Sequence, residues 1–228
     1  MKRKRIIVVL LILIIIGIGG AVYVTKSNQQ AALEKGLRSE KPERLAKALK
    51  DTSLSTKEKN RYIRQFQETL AFDKAKLLLN EQTVQNKTNW FYAAQFAPMS
   101  MVSEWLTKGA KISQLNSQGQ SVLHVATSVN RSIDVYALLI KKASKKELNR
   151  IDDFGHTPLF YATLDQNEAA IELLLQAGVD PNRGEEQPIY ETVKQNRQDL
   201  YAMLEQNGAE VQIKKVKKLA KQYRATKF

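Results

Sequence analysis

The strongest constraint on this chain is that it repeats itself. Thr157-Pro158-Leu159-Phe160-Tyr161-Ala162, followed by Ile171, Leu174, Leu175 and Gly178, has counterparts at three offsets. A gap-free shift of 69 residues lays Thr88-Asn89-Trp90-Phe91-Tyr92-Ala93, Val102, Trp105, Leu106 and Gly109 upon it. A shift of 36 brings in Ser121-Val122-Leu123-His124-Val125-Ala126, Val135, Leu138 and Leu139. A shift of 30 the other way brings in Gln187-Pro188-Ile189-Tyr190, Thr192, Tyr201, Leu204 and Gly208. A unit of about 33 residues therefore occurs four times, and one that short cannot bury its own apolar face, so neighbours must stack into a solenoid.

Each recurring residue type has a local reason. Thr157 can cap a first helix while Pro158 takes its first turn, where no donor is lost. Ala162 is small enough for two antiparallel helices to approach. Leu174 and Leu175 supply the buried edge of a second helix, and Gly178 and Gly208 stand where a helix stops in a left-handed conformation. Upstream, Leu45, Ala46 and Leu49, then Tyr62, Ile63, Phe66 and Leu70, then Ala75, Leu77, Leu78 and Leu79 keep helical spacing. No alternating run is long enough for a strand. The chain reads as all-α.

Asp152, Gly155, Thr157, Pro158, Leu159, Ala162, Leu174, Leu175, Gly178 and Asn182 together resemble the ankyrin repeat family. The second unit keeps Asn116, Gly119, Leu123, His124, Ala126, Leu138 and Leu139, while the first and fourth are degenerate. Residues 55–86 follow the spacing loosely in Ala75, Leu77–Leu79 and Asn86 and are a candidate decayed unit. The resemblance implies helix-turn-helix units with short hairpin fingers, forming a non-catalytic surface for a protein partner. The connection from Lys142 to Arg150 is three residues longer than the period and carries lysines, and that from Gly178 to Pro188 is three shorter, which argues against a full finger there.

Charge is confined to the ends. The 36 Lys+Arg and 23 Asp+Glu give a net +13, yet Lys2 to Arg5 account for four of these charges and the segment after Glu210 for seven. The body is nearly neutral, so a polyanion-binding domain and a nucleic-acid partner are not expected. Between these ends, Ile6–Val24 carries no formal charge. As a helix it spans roughly 28 Å, enough to cross a bilayer. The basic residues before it place the N-terminus in the cytoplasm and the rest outside. A secretory signal cleaved near Gly19-Gly20-Ala21 is the alternative, disfavoured by the unbroken run through Val22-Tyr23-Val24.

The expected organisation is a basic cytoplasmic end (1–5), a transmembrane helix (6–24), a tether (25–41), a helical region with a candidate decayed unit (42–86), about four ankyrin repeats (87–211) and a basic capping helix (212–228). In that helix Val216, Leu219, Ala220 and Tyr223 form an apolar stripe for packing on the last repeat. Lys214, Lys215, Lys217, Lys218, Lys221 and Arg224 are left to face solvent or an anionic surface such as lipid or wall polymer.

By position in the repeat, the resemblance implies finger-tip residues Ser117, Gln118, Gln120, Asp153, Phe154, His156, Arg183 and Glu186, with Tyr92, Val125, Tyr161 and Glu191 on the open side of the first helices. The candidate partner-binding set is Tyr92, Gln118, Val125, Asp153, Phe154, His156, Tyr161 and Arg183, with Phe154 and Tyr161 as anchors.

Catalysis finds no foothold. Cysteine is absent and there are only two histidines, which leaves no thiol nucleophile and no multi-histidine metal site. The resemblance makes His124 a structural residue, and His156 has no nucleophile beside it in the sequence. Asp152-Asp153 and Glu185-Glu186 read as solvated turn residues. Neither cofactor nor small-molecule substrate is expected. An adaptor holding a partner at the membrane of a bacterium is the leading reading, and an inhibitor or immunity-type protein the other.

Overall fold

The computed structural model describes residues 28–228 except 81, 130 and 131, so the expected membrane segment Ile6–Val24 lies outside the described residues. Among these, no helix is long and apolar enough to cross a membrane. The chain divides into two compact units, Met1–Lys59 and Asn60–Phe228.

In the first unit, residues 28–38 form helix α1, within the segment expected as a tether, and Pro42–Asp51 form α2 with Pro42 in its first turn. The two helices cross closely at Gly36, where a Cβ would stand 2.9 Å from the Leu45 Cα. Ser55 and Glu58 then start α3 (Thr56–Glu68) with a reciprocal cap. The Ser55 N–H donates to the Glu58 carboxylate at 2.9 Å, and the Glu58 N–H donates to the Ser55 hydroxyl at 3.3 Å.

The second unit is a stack of helix pairs. After α4 (Phe72–Lys76) come α5 (Lys87–Phe96) and α6 (Met99–Thr107), then α7 (Val122–Val129) and α8 (Ile133–Lys142). The short α9 (Lys145–Leu148) precedes α10 (Pro158–Leu164) and α11 (Glu168–Gln176), α12 (Pro188–Lys194) and α13 (Gln198–Gln206), and finally α14 (Ile213–Tyr223). An inner row runs α5, α7, α10, α12, α14, each packed on the next, and an outer row runs α4, α6, α8, α11.

Sequence and structure agree closely in the third repeat. The Phe160 N–H donates to the Thr157 hydroxyl at 3.2 Å, Pro158 occupies the first turn of α10, and Gly178 ends α11 at φ +78. In the second repeat the gap-free alignment slips. The step from α7 to α8 is one residue longer than that from α10 to α11. Leu139 and Ile140, rather than Leu138 and Leu139, therefore take the buried edge, and Leu138 is only half-buried. The first repeat solves its lack of Thr-Pro differently. Asn86 caps α5 by accepting from the Asn89 N–H at 3.0 Å, and the freed Asn89 amide donates to the Asn60 carbonyl of α3 at 3.0 Å. Gln67 of α3 answers by donating to the Asn89 carbonyl at 3.2 Å.

One turn recurs through the unit. At α10–α11 the Asn167 N–H donates to the Ala162 carbonyl at 2.8 Å with Gln166 at φ 54, and at α12–α13 Arg197 bonds Thr192 at 2.8 Å with Asn196 at φ 57. The same left-handed turn follows α3 (Ala71 to Phe66, Leu70 φ 58) and α14 (Ala225 to Ala220, Arg224 φ 53). Beyond α14 the chain folds back along its neighbour, where Lys227 donates to the Asn196 side chain at 3.0 Å and Phe228 sits edge-on to Tyr201.

Two buried features mark the packing of the first two repeats. Trp90 and Trp105 stack at 5.6 Å across α5 and α6, and the Trp90 indole donates to the Lys111 carbonyl at 3.2 Å. The Trp105 indole N–H, also buried, has no acceptor among the described residues. His124 is 1% exposed and accepts at Nδ1 from the Ser121 N–H at 3.1 Å, which places its neutral-state proton on Nε2. That nitrogen makes no hydrogen bond of ordinary geometry, although the main chain at His156 and Arg150 lies near enough to favour a charged ring. Burial outweighs that help and the Asp152 charge, and pushes the imidazole down to about 4.

These features give two expectations. Trp105→Ala should cost about 3–5 kcal/mol in urea unfolding, because a large cavity replaces a stacked ring, while Trp105→Phe should cost far less, since no hydrogen bond is lost with the indole N–H. For His124, an ordinary histidine in the unfolded chain protonates near 6.5 and the folded one near 4. Between these values the unfolded chain binds the extra proton, so stability falls as pH falls. The loss is on the order of 3 kcal/mol, complete once pH drops below the folded value. Urea unfolding of wild type and His124→Asn at pH 7 and 4.5 checks this, and the variant should lose most of the difference.

Candidate functional site

The finger tips begin as local turns. In the second repeat the Asn116 side chain accepts from the N–H groups of Gln118 at 2.9 Å and Gln120 at 3.0 Å, and the turn closes through Asn116 N–H to the Gln120 carbonyl at 2.9 Å. In the third, one oxygen of Asp152 accepts from Phe154 at 3.0 Å and His156 at 2.9 Å, with the matching closure to the His156 carbonyl. Adjacent tips are then tied by main-chain bonds, Asp153 N–H to the Gln118 carbonyl at 3.1 Å and Glu185 N–H to the Gly155 carbonyl at 2.8 Å. Gly184, at φ +110, makes the last bond attainable, because a Cβ there would lie 2.9 Å from the Gly155 carbonyl oxygen. The shortened fourth connection thus joins the row of tips through the Glu185 to Gly155 main-chain bond.

The second oxygen of Asp152 receives the Tyr161 hydroxyl at 2.7 Å and the Gln120 amide at 3.3 Å, and Gln120 also donates to the Tyr161 oxygen at 2.9 Å. Burial alone would raise this carboxyl, but the bonds from Tyr161, His156, Phe154 and Gln120 hold it below the usual carboxylate range. The same contact, with burial, pushes the Tyr161 phenol up to about 12. Tyr161 is therefore a fixed neutral ring. The sequence reading of Asp152-Asp153 as two solvated turn residues is corrected: Asp153 is exposed, whereas Asp152 is a buried hub. Asp152 stands where Asn116 stands one repeat earlier, two and four residues before the N–H groups it caps, and that spacing was the available signal.

Aromatic rings build outward from this hub. His156 lies parallel to Phe160 at 4.0 Å, Tyr161 sits edge-on to His156 at 5.6 Å, and Phe154 stacks beyond His156 at 6.5 Å. Phe154 is 53% exposed. The structure thus brings together Phe154, His156 and Tyr161, with Gln118 and Asp153 exposed beside them on adjoining tips.

Other expected residues fare differently. Tyr92 is half-buried and borders a groove of about 590 Å³ with Lys87, Thr88, Phe91, Gln95 and Leu115. Phe96, 48% exposed and 4.8 Å from the Tyr92 ring, adds an exposed aromatic that the repeat pattern did not single out. Val125 is 7% exposed and leaves the candidate surface, because α7 is flanked by both α5 and α10 and its short side chain does not reach past them. Glu191 is buried too and pairs with Lys194 at 3.0 Å. Arg183 is exposed, but its guanidinium donates to the Asn149 carbonyl at 2.8 Å and is committed to the neighbouring connection. The five lysines of α14 and Arg224 just after it are all exposed, yet Lys215 lies over the Tyr190 ring at 3.7 Å, and Tyr223, expected in the packed stripe, is 47% exposed. Among the described residues no group of three or more His, Asp or Glu side chains is placed to hold a metal ion.

A family model described as "Ankyrin repeats (3 copies)" matches residues 90–185. An ankyrin repeat protein of Rickettsia felis is 36% identical over 67 residues, which are 29% of this chain and 22% of that protein. The crystal structure of the human ASB11 ankyrin repeat domain superimposes with a TM-score of 0.53 at 20% identity, covering 60% of this chain and 63% of that one. The chain thus spans about a fifth of the first relative and under two thirds of the second, and the second likeness is one of fold. Residues 90–185 thus carry ankyrin repeats, units that in general serve as non-catalytic protein–protein interaction modules.

Proposed function

We propose that this chain is a membrane-anchored, non-catalytic adaptor whose repeats present the finger tips and the open side of the inner helices to a protein partner outside the cytoplasmic membrane. The observation that carries the reading is Phe154, an exposed ring on a tip whose backbone is fixed by Asp152 and whose underside is stacked on His156. A rigid aromatic offers contact area at little entropic cost, which is the character of an interface anchor. Gln118, Asp153 and Tyr161 flank it, and Tyr92 with Phe96 extends the same face to the first repeat. The helix pair α3–α4, joined by the turn that the later repeats use, extends the array upstream as a degenerate unit. Ile6–Val24 supplies the anchor, with the basic residues before it keeping the N-terminus inside.

Two measurements test this. A photocrosslinking residue placed at Phe154 in the full chain should capture a discrete partner, whereas one at the exposed outer-helix position Glu172 should not. Phe154→Ala should weaken that partner's binding by about 2 kcal/mol with folding unchanged. Equal capture at both positions, or undiminished binding by the variant, rejects this face. For topology, the sequence has no cysteine, so Gln118→Cys should be labelled by a membrane-impermeant maleimide in intact cells. Protection until lysis would reject the outside placement.

A further inference from the structure

The terminal helix α14 carries two stripes of identical spacing. Val216, Leu219, Ala220 and Tyr223 stand at i, i+3, i+4 and i+7, with Val216 and Ala220 buried as α14 packs on α12. Lys214, Lys217, Lys218 and Lys221 repeat the interval on the opposite side, and all four are exposed. None of the four has an ion-pair partner among the described residues, and the sequence holds no acidic residue after Glu210. Like charges three and four positions apart on a helix repel and destabilise it. A cap needs only a polar outer face, which mixed charges or glutamine would supply without that cost.

We propose that this stripe docks the end of the repeat array on an anionic lipid surface. Three observations favour lipid as the occupant. The stripe is all lysine, a compact charge on a flexible stem suited to a diffuse field of phosphates, whereas carboxylates held in a protein groove favour the forked geometry of arginine. Ile213, 60% exposed on the first turn and four residues before Lys217, adds an aliphatic side chain at the edge of the stripe, the kind that settles at the headgroup boundary. Finally, an anchor at Ile6–Val24 would keep the domain close to a bilayer. This last argument rests on the anchor reading above; the first two do not. Lys215, placed over Tyr190, lies outside the stripe.

The test uses the full chain with Gln222→Cys, an exposed position, labelled with a fluorescent donor, and vesicles carrying a headgroup acceptor. Vesicles are phosphatidylcholine alone or phosphatidylcholine with a minority of phosphatidylglycerol. Energy transfer should rise in the anionic vesicles, fall at high salt, and be lost when Lys214, Lys217, Lys218 and Lys221 are all changed to Gln with the circular-dichroism melt retained. At about fivefold per lysine near an anionic surface, the four together contribute on the order of several hundredfold to the docking equilibrium. Flotation with neutral vesicles reads the anchor separately. If it fails, the anchor reading falls, and flotation with anionic vesicles that the four-lysine variant loses still supports the stripe. Equal transfer in both lipids, no flotation with either, or an unchanged response of the variant overturns the proposal.

Discussion

Everything in the repeat region depends on the fact that no helix pair can bury its own apolar face. Leu159 and Ala162 of α10 are fully buried because α7 and α12 stand on either side, and Ile171 and Leu174 of α11 because α8 and α10 cover them. The hydrogen bonds follow this stacking. Thr127 donates from α7 to the Pro158 carbonyl at 3.2 Å, Asn167 reaches the Tyr136 hydroxyl at 2.7 Å, and Arg197 spans from its own turn to Gln166 at 2.7 Å and to the Glu168 carboxylate. Each is made between consecutive repeats, so order in one unit is a condition for order in the next.

That constraint explains which residues the sequence revealed. Thr157, Pro158, Gly178 and Gly208 act through their own backbone or that of the same turn, and their identity alone announces the cap or the helix stop. Repetition supplied the rest of the all-α architecture. What periodicity hid was decided by neighbours. Val125 and Tyr161 hold the same place in the repeat, yet the first is buried and the second reaches the surface, because side-chain length relative to the flanking helices settles exposure. The extra residue between α7 and α8 shifts the buried pair to Leu139 and Ile140, and an ungapped comparison has no means of seeing it. Asn89 reads as a degenerate proline position until α3 is in place to receive its amide.

The candidate surface shows the same division. The positions of Phe154, Gln118 and Asp153 on the tips followed from spacing, but the reason they form a stable surface did not. Asp152 organises its own tip with one oxygen and the inner helix with the other, through Tyr161, while Gln120 reaches in from the preceding tip. A buried carboxylate is expensive unless it is fully hydrogen-bonded, and four donors meet that demand here. The outcome is mechanical: the exposed Phe154 ring stands on a turn with no soft joint beneath it. Arg183, expected to be free, is spent on stitching the fourth connection to the chain at Asn149.

The first and last helices of the inner row are packed in different ways. Upstream, α5 is tied to α3 by polar links: the Asn89 amide donates to the Asn60 carbonyl and the Gln67 amide donates to the Asn89 carbonyl, fixing register as well as contact. Downstream, α14 fills the inner-helix place next to α12 and ends in the inner-helix turn, but with Arg224 at a left-handed φ where glycine would be the easy choice. A helix in that position has one face dictated by packing and the other free to vary, and it is on this free face that the chain places four unneutralised lysines rather than the near-neutral mixture it uses across residues 26–210.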